Sequence, residues 1–199
     1  MSHRRFALKT LAAGAAALML AACSPSKPPF HSLDISDATY GKDLRLSDAD
    51  GQARQLADFR GKVVVVFFGY TMCPDVCPTN LSNWTQVKKL LGADGARLQV
   101  LFVSVDPRRD KDVIKQYASF FDESFIGLVP AGDEQLTAVA RDFKVYYRKV
   151  PGPTPTSYTM DHTATNYIYD PQGRLRLATR PGQSQQDMAD DVRRLLNGE

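Results

Sequence analysis

Two cysteines and one histidine are the residues whose types and spacing most clearly allow chemistry. Cys73 and Cys77 stand four apart in Cys73-Pro74-Asp75-Val76-Cys77, directly after the apolar run Val63 to Phe68, and His162 follows much later in the chain. Two thiolates and an imidazole make a small, soft donor set that suits Cu(I) and selects against hard ions such as Mg2+ or Ca2+. The imidazole, with access to water, also suits Cu(II) better than thiolates alone would. A strand that ends where a helix begins presents backbone N–H groups and the positive end of the helix dipole, which favour thiolate over thiol. Four-residue spacing places both sulfurs on one side of a first helical turn.

The competing reading of the pair is a stabilising disulfide. Closing so short a loop removes little chain entropy, so a purely structural bridge gains little here. An exported thiol pair nonetheless oxidises by default, and keeping it open for a metal requires a thiol reductant nearby. His162 is the one histidine in the expected core, since His3 and His31 fall in the N-terminal region. Its neighbour Asp161 either orients the imidazole as a supporting partner or points to solvent. Met72 and Met160 flank the ligands and read as core filling or exposed residues.

The elements that must position these residues begin after an export segment. Arg4, Arg5 and Lys9 precede the apolar stretch Leu11 to Ala22, the layout of a secretory signal over residues 1–22. The paired arginines loosely resemble a twin-arginine export signal. The apolar stretch is too short to span a bilayer unaided. Leu20-Ala21-Ala22-Cys23 resembles a bacterial lipobox, in which Cys23 becomes the acylated first residue, and residues 23–34 then form a flexible tether. Residues 1–22 hold three cations and no acids, so of the 25 Lys and Arg 22 remain against 22 Asp and Glu. A mature chain of zero formal charge without a basic stripe excludes nucleic acid as a partner.

Residues 35–199 read as one domain of α/β class. Leu44 to Gly51 suggests a strand running into an Asp-Gly turn. The solid apolar runs Val63 to Phe68 and Leu98 to Val105 predict strands covered on both faces. Between them Leu81, Trp84, Val87 and Leu91 form one apolar helical stripe. Spacing predicts further helices over 110–121, around Leu136 to Phe143 and over 185–196, with a short strand at 125–129. Asn166 to Asp170 and Leu175 to Ala178 flank a Pro-Gln-Gly turn as a C-terminal hairpin. Val150 to Ser157 carries three prolines and reads as an exposed loop, free to bring His162 towards the cysteines or away from them. The interleaving predicts a central mixed sheet with helices on both faces.

Three stretches, Phe67 to Pro78, Val105-Asp106-Pro107-Arg108-Arg109-Asp110 and Tyr158-Thr159-Met160-Asp161-His162, together resemble the Sco copper-chaperone family. With the element order, the resemblance covers roughly residues 35–196. It implies a thioredoxin-like fold with inserted loops, and one copper held by Cys73, Cys77 and His162. It also implies a periplasm-facing protein that receives copper from a donor chaperone. That protein would deliver it to the binuclear centre of cytochrome c oxidase subunit II. Members of the family are usually held by a transmembrane helix, where this chain shows a lipobox. The Asp106 to Asp110 stretch reads first as a strand-to-helix turn, with partner docking second.

A reading from another class is a thiol–disulfide oxidoreductase, with Cys73 attacking and Cys77 resolving. Such enzymes normally place two residues between the cysteines and a proline opposite them. Here three residues intervene, and Ala164 precedes the strand at Asn166.

Overall fold

A computed structural model of the chain describes residues 28–199. The strands are β1 (Leu33–Asp34), β2 (Arg45–Asp48), β3 (Ala53–Gln55), β4 (Val63–Gly69), β5 (Leu98–Ser104), β6 (Ile126–Val129), β7 (Tyr147–Pro151), β8 (Tyr158–His162), β9 (Asn166–Tyr169) and β10 (Leu175–Ala178). The helices are α1 (Val76–Leu90), α2 (Pro107–Asp110), α3 (Ile114–Phe121), α4 (Asp133–Asp142) and α5 (Gln185–Leu196).

Every residue of β4 and β5 is buried, as continuous apolar strands must be when both faces are covered. They pair in parallel, Val63 opposite Leu98 through Gly69 opposite Ser104, and β6 continues the parallel order beside β5. The antiparallel β9 flanks β4 on its other side, so the eight-stranded sheet runs β1-β10-β9-β4-β5-β6-β2-β3 and is mixed, as expected. Full burial of each Val, Leu or Phe contributes about 2 kcal/mol. These central strands therefore form the rigid base on which the loops at their carboxyl ends are built.

Side-chain alternation sorts the two faces. Phe67, Phe102 and Asn166 point to the face covered by α1, α3 and α5, where Trp84 donates its indole N–H to Asn166 Oδ1 at 2.9 Å. Phe68 and Tyr167 point to the other face and pack on Phe143, directly after α4.

Several boundaries differ from the sequence reading. The helix expected over 110–121 is two helices, because Asp110 turns its carboxylate inward and the chain makes a further turn before Ile114. Val113, in the turn between the two helices, is 43% exposed. The expected loop at Val150 to Ser157 is instead part of a two-stranded ribbon. Residues 147–151 of β7 pair with 158–162 of β8, and only 152–157 form the tip. The segment from Phe30 to Asp34, expected within the tether, is docked on the domain: β1 pairs with β10 and Phe30 packs against the core. No helix among the described residues is long and apolar enough to cross a membrane. Cys23 and the expected signal lie outside the described residues.

Candidate metal centre

The site is assembled at the carboxyl end of β4. Gly69 closes that strand, and its lack of a side chain is required by a close approach. A Cβ there would sit 2.6 Å from Phe102 and 2.7 Å from Cys77 Sγ. The chain then turns through Tyr70 to Asp75, with Cys73 N–H donating to Tyr70 O at 3.3 Å. Thr71 fastens this turn to the fully buried Asp110, which also accepts from Ser104 Oγ at 2.6 Å. Burial pushes the Asp110 carboxyl above its ordinary value against the hydrogen bonds from Ser104 and Thr71. Asp110 caps no helix and reaches no solvent, so its part in the Asp-Pro-Arg-Arg-Asp stretch is internal support and not docking.

Only Cys77 lies within α1. Cys73 precedes the helix in the turn, partly exposed, and its sulfur accepts the Cys77 backbone N–H at 3.4 Å. Cys77 is fully buried, and desolvation pushes its thiol well above the ordinary value. The expectation that the helix start favours thiolate therefore fails for Cys77, because loss of water outweighs the dipole. Both cysteines are free thiols.

His162 is the last residue of β8, opposite Tyr147 in the ribbon. Its Nδ1 stands 3.1 Å from Thr163 O. A carbonyl only accepts, so Nδ1 carries the proton and Nε2 presents its lone pair. That Nε2 lies 3.4 Å from Cys77 Sγ. Burial holds the imidazole pKa below its usual value, which keeps the ring neutral and able to ligate. The rings of Phe67 and Tyr70 meet it edge-on at 6.1 and 5.8 Å. A ring so enclosed is fixed, in place of the mobile loop residue the prolines suggested.

Asp161 does not orient the imidazole. Its carboxylate is on the solvent side of the ribbon, paired with Arg148 at 2.8 Å, and the Thr163 carbonyl fills the orienting role. The ribbon is fastened beside its tip, at Tyr158, through Arg109. Its guanidinium lies 3.6 Å over the Tyr158 ring, donates to Tyr158 O at 3.0 Å and pairs with Asp106, which also accepts from the Tyr158 hydroxyl. Met72 is 65% exposed, and Met160 packs partly against the core.

Cys73 Sγ, Cys77 Sγ and a His162 ring nitrogen all lie within 4.8 Å of one another, and they are the one such group of His, Cys, Asp or Glu donors among the described residues. Two sulfurs and a neutral imidazole nitrogen, with no carboxylate in the group, fit a soft cation. Sequence reasoning named the three residues that converge here but missed Gly69 and Asp110 as supports. The run Phe67-Phe68-Gly69 held the signal for the first, since a glycine ending a buried strand marks a close approach.

The sheet order and the thiols at the end of its central strand define a thioredoxin-like domain carrying a soft-metal donor set. The chain belongs to the SCO1/SenC family, whose family model matches residues 34–197. It is 32% identical over 165 residues to a SCO2-like protein of Rickettsia felis, covering 81% of this chain and 80% of that one. It is 36% identical over 164 residues to the mitochondrial SCO2 homolog of Bos taurus, covering 80% of this chain and 61% of the relative. Among solved structures, Bradyrhizobium japonicum ScoI with copper bound superposes with a TM-score of 0.69 at 37% identity, covering 79% of this chain and 99% of that one.

Proposed function

We propose that this protein carries copper to cytochrome c oxidase as it is assembled, holding the ion between Cys73, Cys77 and His162. The convergence of two sulfurs and one ring nitrogen within 4.8 Å is the observation that carries this reading. Copper is cargo here. Cys73, the partly exposed ligand, is the one an incoming thiolate meets first, while Cys77 and His162 release later from the buried side. Each exchange breaks one copper–ligand bond and forms one to the acceptor. The oxidation state stays unchanged, and the released thiolate takes up a proton.

In this reading the acceptor is oxidase subunit II, a donor chaperone loads the site, and a thiol reductant keeps the pair open. The domain faces the periplasm, held to a bacterial membrane through acylated Cys23. Loading the reduced protein with Cu(I) tests the reading: one copper per chain is expected, with a sharp loss of affinity in His162→Ala. A wild-type protein that binds no copper overturns it.

The second reading, a thiol–disulfide oxidoreductase, is favoured by the closeness of the two free thiols. It requires rapid reduction of a partner disulfide that survives His162→Ala.

A further inference from the structure

The segment ahead of β1 is fixed to the domain far more firmly than a linker requires. The backbone N–H groups of His31 and Ser32 donate to the fully buried Asp191 carboxylate at 2.9 and 2.7 Å. Arg194 donates to Pro29 O at 3.0 Å and Pro28 O at 2.7 Å, and its guanidinium lies 4.0 Å over the Phe30 ring. These contacts lay residues 28–32 along α5, from Asp191 back to Arg194.

The direction of α5 decides where the chain leaves. Its first residue, Gln185, bonds Asn83 in α1, and the turn before it lies beside Asn166 at the thiol end of the sheet. Its last turn reaches Leu90 at the far end of α1, through Arg193, and Arg97 just before β5, through Leu196 O. Twelve residues of helix span about 18 Å. Pro28 therefore departs at the pole opposite Cys73, Cys77 and His162. At that pole stand Arg60 and Lys62 before β4 and Lys89 at the end of α1, three cations in no ion pair among the described residues, with Leu90 43% exposed beside them.

We propose that this pole is a membrane-contact surface that seats on anionic lipid headgroups and directs the thiol site away from the bilayer. The inference rests on the anchoring at Cys23 proposed above, which puts four residues, 24–27, between the acylated residue and the clamped segment, a reach of at most roughly 14 Å. So short a lead, followed by a clamped segment, holds the exit pole at the surface, and the unpaired cations complement lipid phosphates. The acceptor must then meet the site from the water side, through a domain that rises above the membrane.

Lysine acetylation by a water-soluble reagent tests this on the processed chain as extracted from membranes, beginning at Cys23, in vesicles of phosphatidylcholine with phosphatidylglycerol, read residue by residue by mass spectrometry. Lys62 and Lys89 are expected to react severalfold more slowly than in detergent, while Lys111 and Lys149, near the thiol end, keep their rates. A long flexible Gly-Ser insertion after Lys27, or Arg194→Ala, should relieve much of that protection without lowering copper loading. A chain that fails to float with the vesicles overturns the anchoring and this proposal with it. A chain that floats with all four lysines equally reactive, or with Lys111 and Lys149 the protected pair, overturns the proposal alone.

Discussion

Asp110 Oδ1 accepts both the backbone N–H and the hydroxyl of Thr71, at 3.1 and 2.7 Å, across 39 positions of sequence. The second residue after Thr71 is Cys73. A carboxylate with no exposure thus holds the turn from which one thiol is presented, and Ser104 at the end of β5 holds the carboxylate.

Replacing Asp110 by Ala strands the Thr71 and Ser104 donors in the interior. A loss of about 3 kcal/mol is expected in urea unfolding, with Asp110→Asn milder because its amide oxygen still accepts from Thr71. Equal stability of the Ala variant and wild type would show that the turn does not depend on this carboxylate.

The two thiols should differ sharply in reactivity. Cys73 is partly exposed, whereas Cys77 has no exposed surface and burial holds it as a thiol. Iodoacetamide added to the reduced, metal-free protein should give one fast adduct at Cys73, with Cys77 reacting only on unfolding. Peptide mapping checks this, and faster labelling at Cys77 would refute it.

Gly69→Ala tests the packing beneath the site. The new methyl would overlap Phe102 and Cys77 Sγ, so both must shift. Overpacking of this kind costs about 1–3 kcal/mol. The expected result is lower thermal stability together with weaker Cu(I) retention in a chelator competition, because Cys77 moves relative to His162. Retained affinity would mean that the sulfur position is not critical.

Asp122 ties α3 to α1 through Lys88 at 2.6 Å. Burial raises its carboxyl, but hydrogen bonds from Lys88 and Ser124 outweigh that and hold it below the usual 3.8. An acid with a depressed folded pKa stabilises above its unfolded value and loses that contribution as pH falls through the folded value. The stability gap between wild type and Asp122→Asn, on the order of 1 kcal/mol for a partly buried pair, should be constant above about pH 5 and shrink below about pH 4. A gap that widens on acidification would contradict the assignment.

The elements most legible in the sequence were those with strong periodicity or unbroken apolar runs. The strand at Val63 and the final helix over 185–196 fall where the pattern places them, and the hairpin around Pro171-Gln172-Gly173 does as well. The ribbon of β7 and β8 was not legible, because β8 alternates over only five residues and β7 shows no matching alternation. Its prolines sit at Pro151, the last residue of β7, and in the tip, where missing N–H groups cost little. The grouping of Cys73, Cys77 and His162 was legible because their residue types are rare in the chain. Their support was not. Asp110 looks like an ordinary helix-start acid until the fold buries it, and the tether looks like a linker until Asp191 and Arg194 capture its backbone.

X-ray absorption at the copper edge of the Cu(I)-loaded, reduced protein tests the central claim most directly. The expected first shell holds two sulfurs and one imidazole nitrogen. In His162→Ala the nitrogen contribution should vanish while both sulfurs remain. An unchanged nitrogen signal in that variant, or the same spectrum from a Cys77→Ser protein, would show that these three side chains do not share one ion.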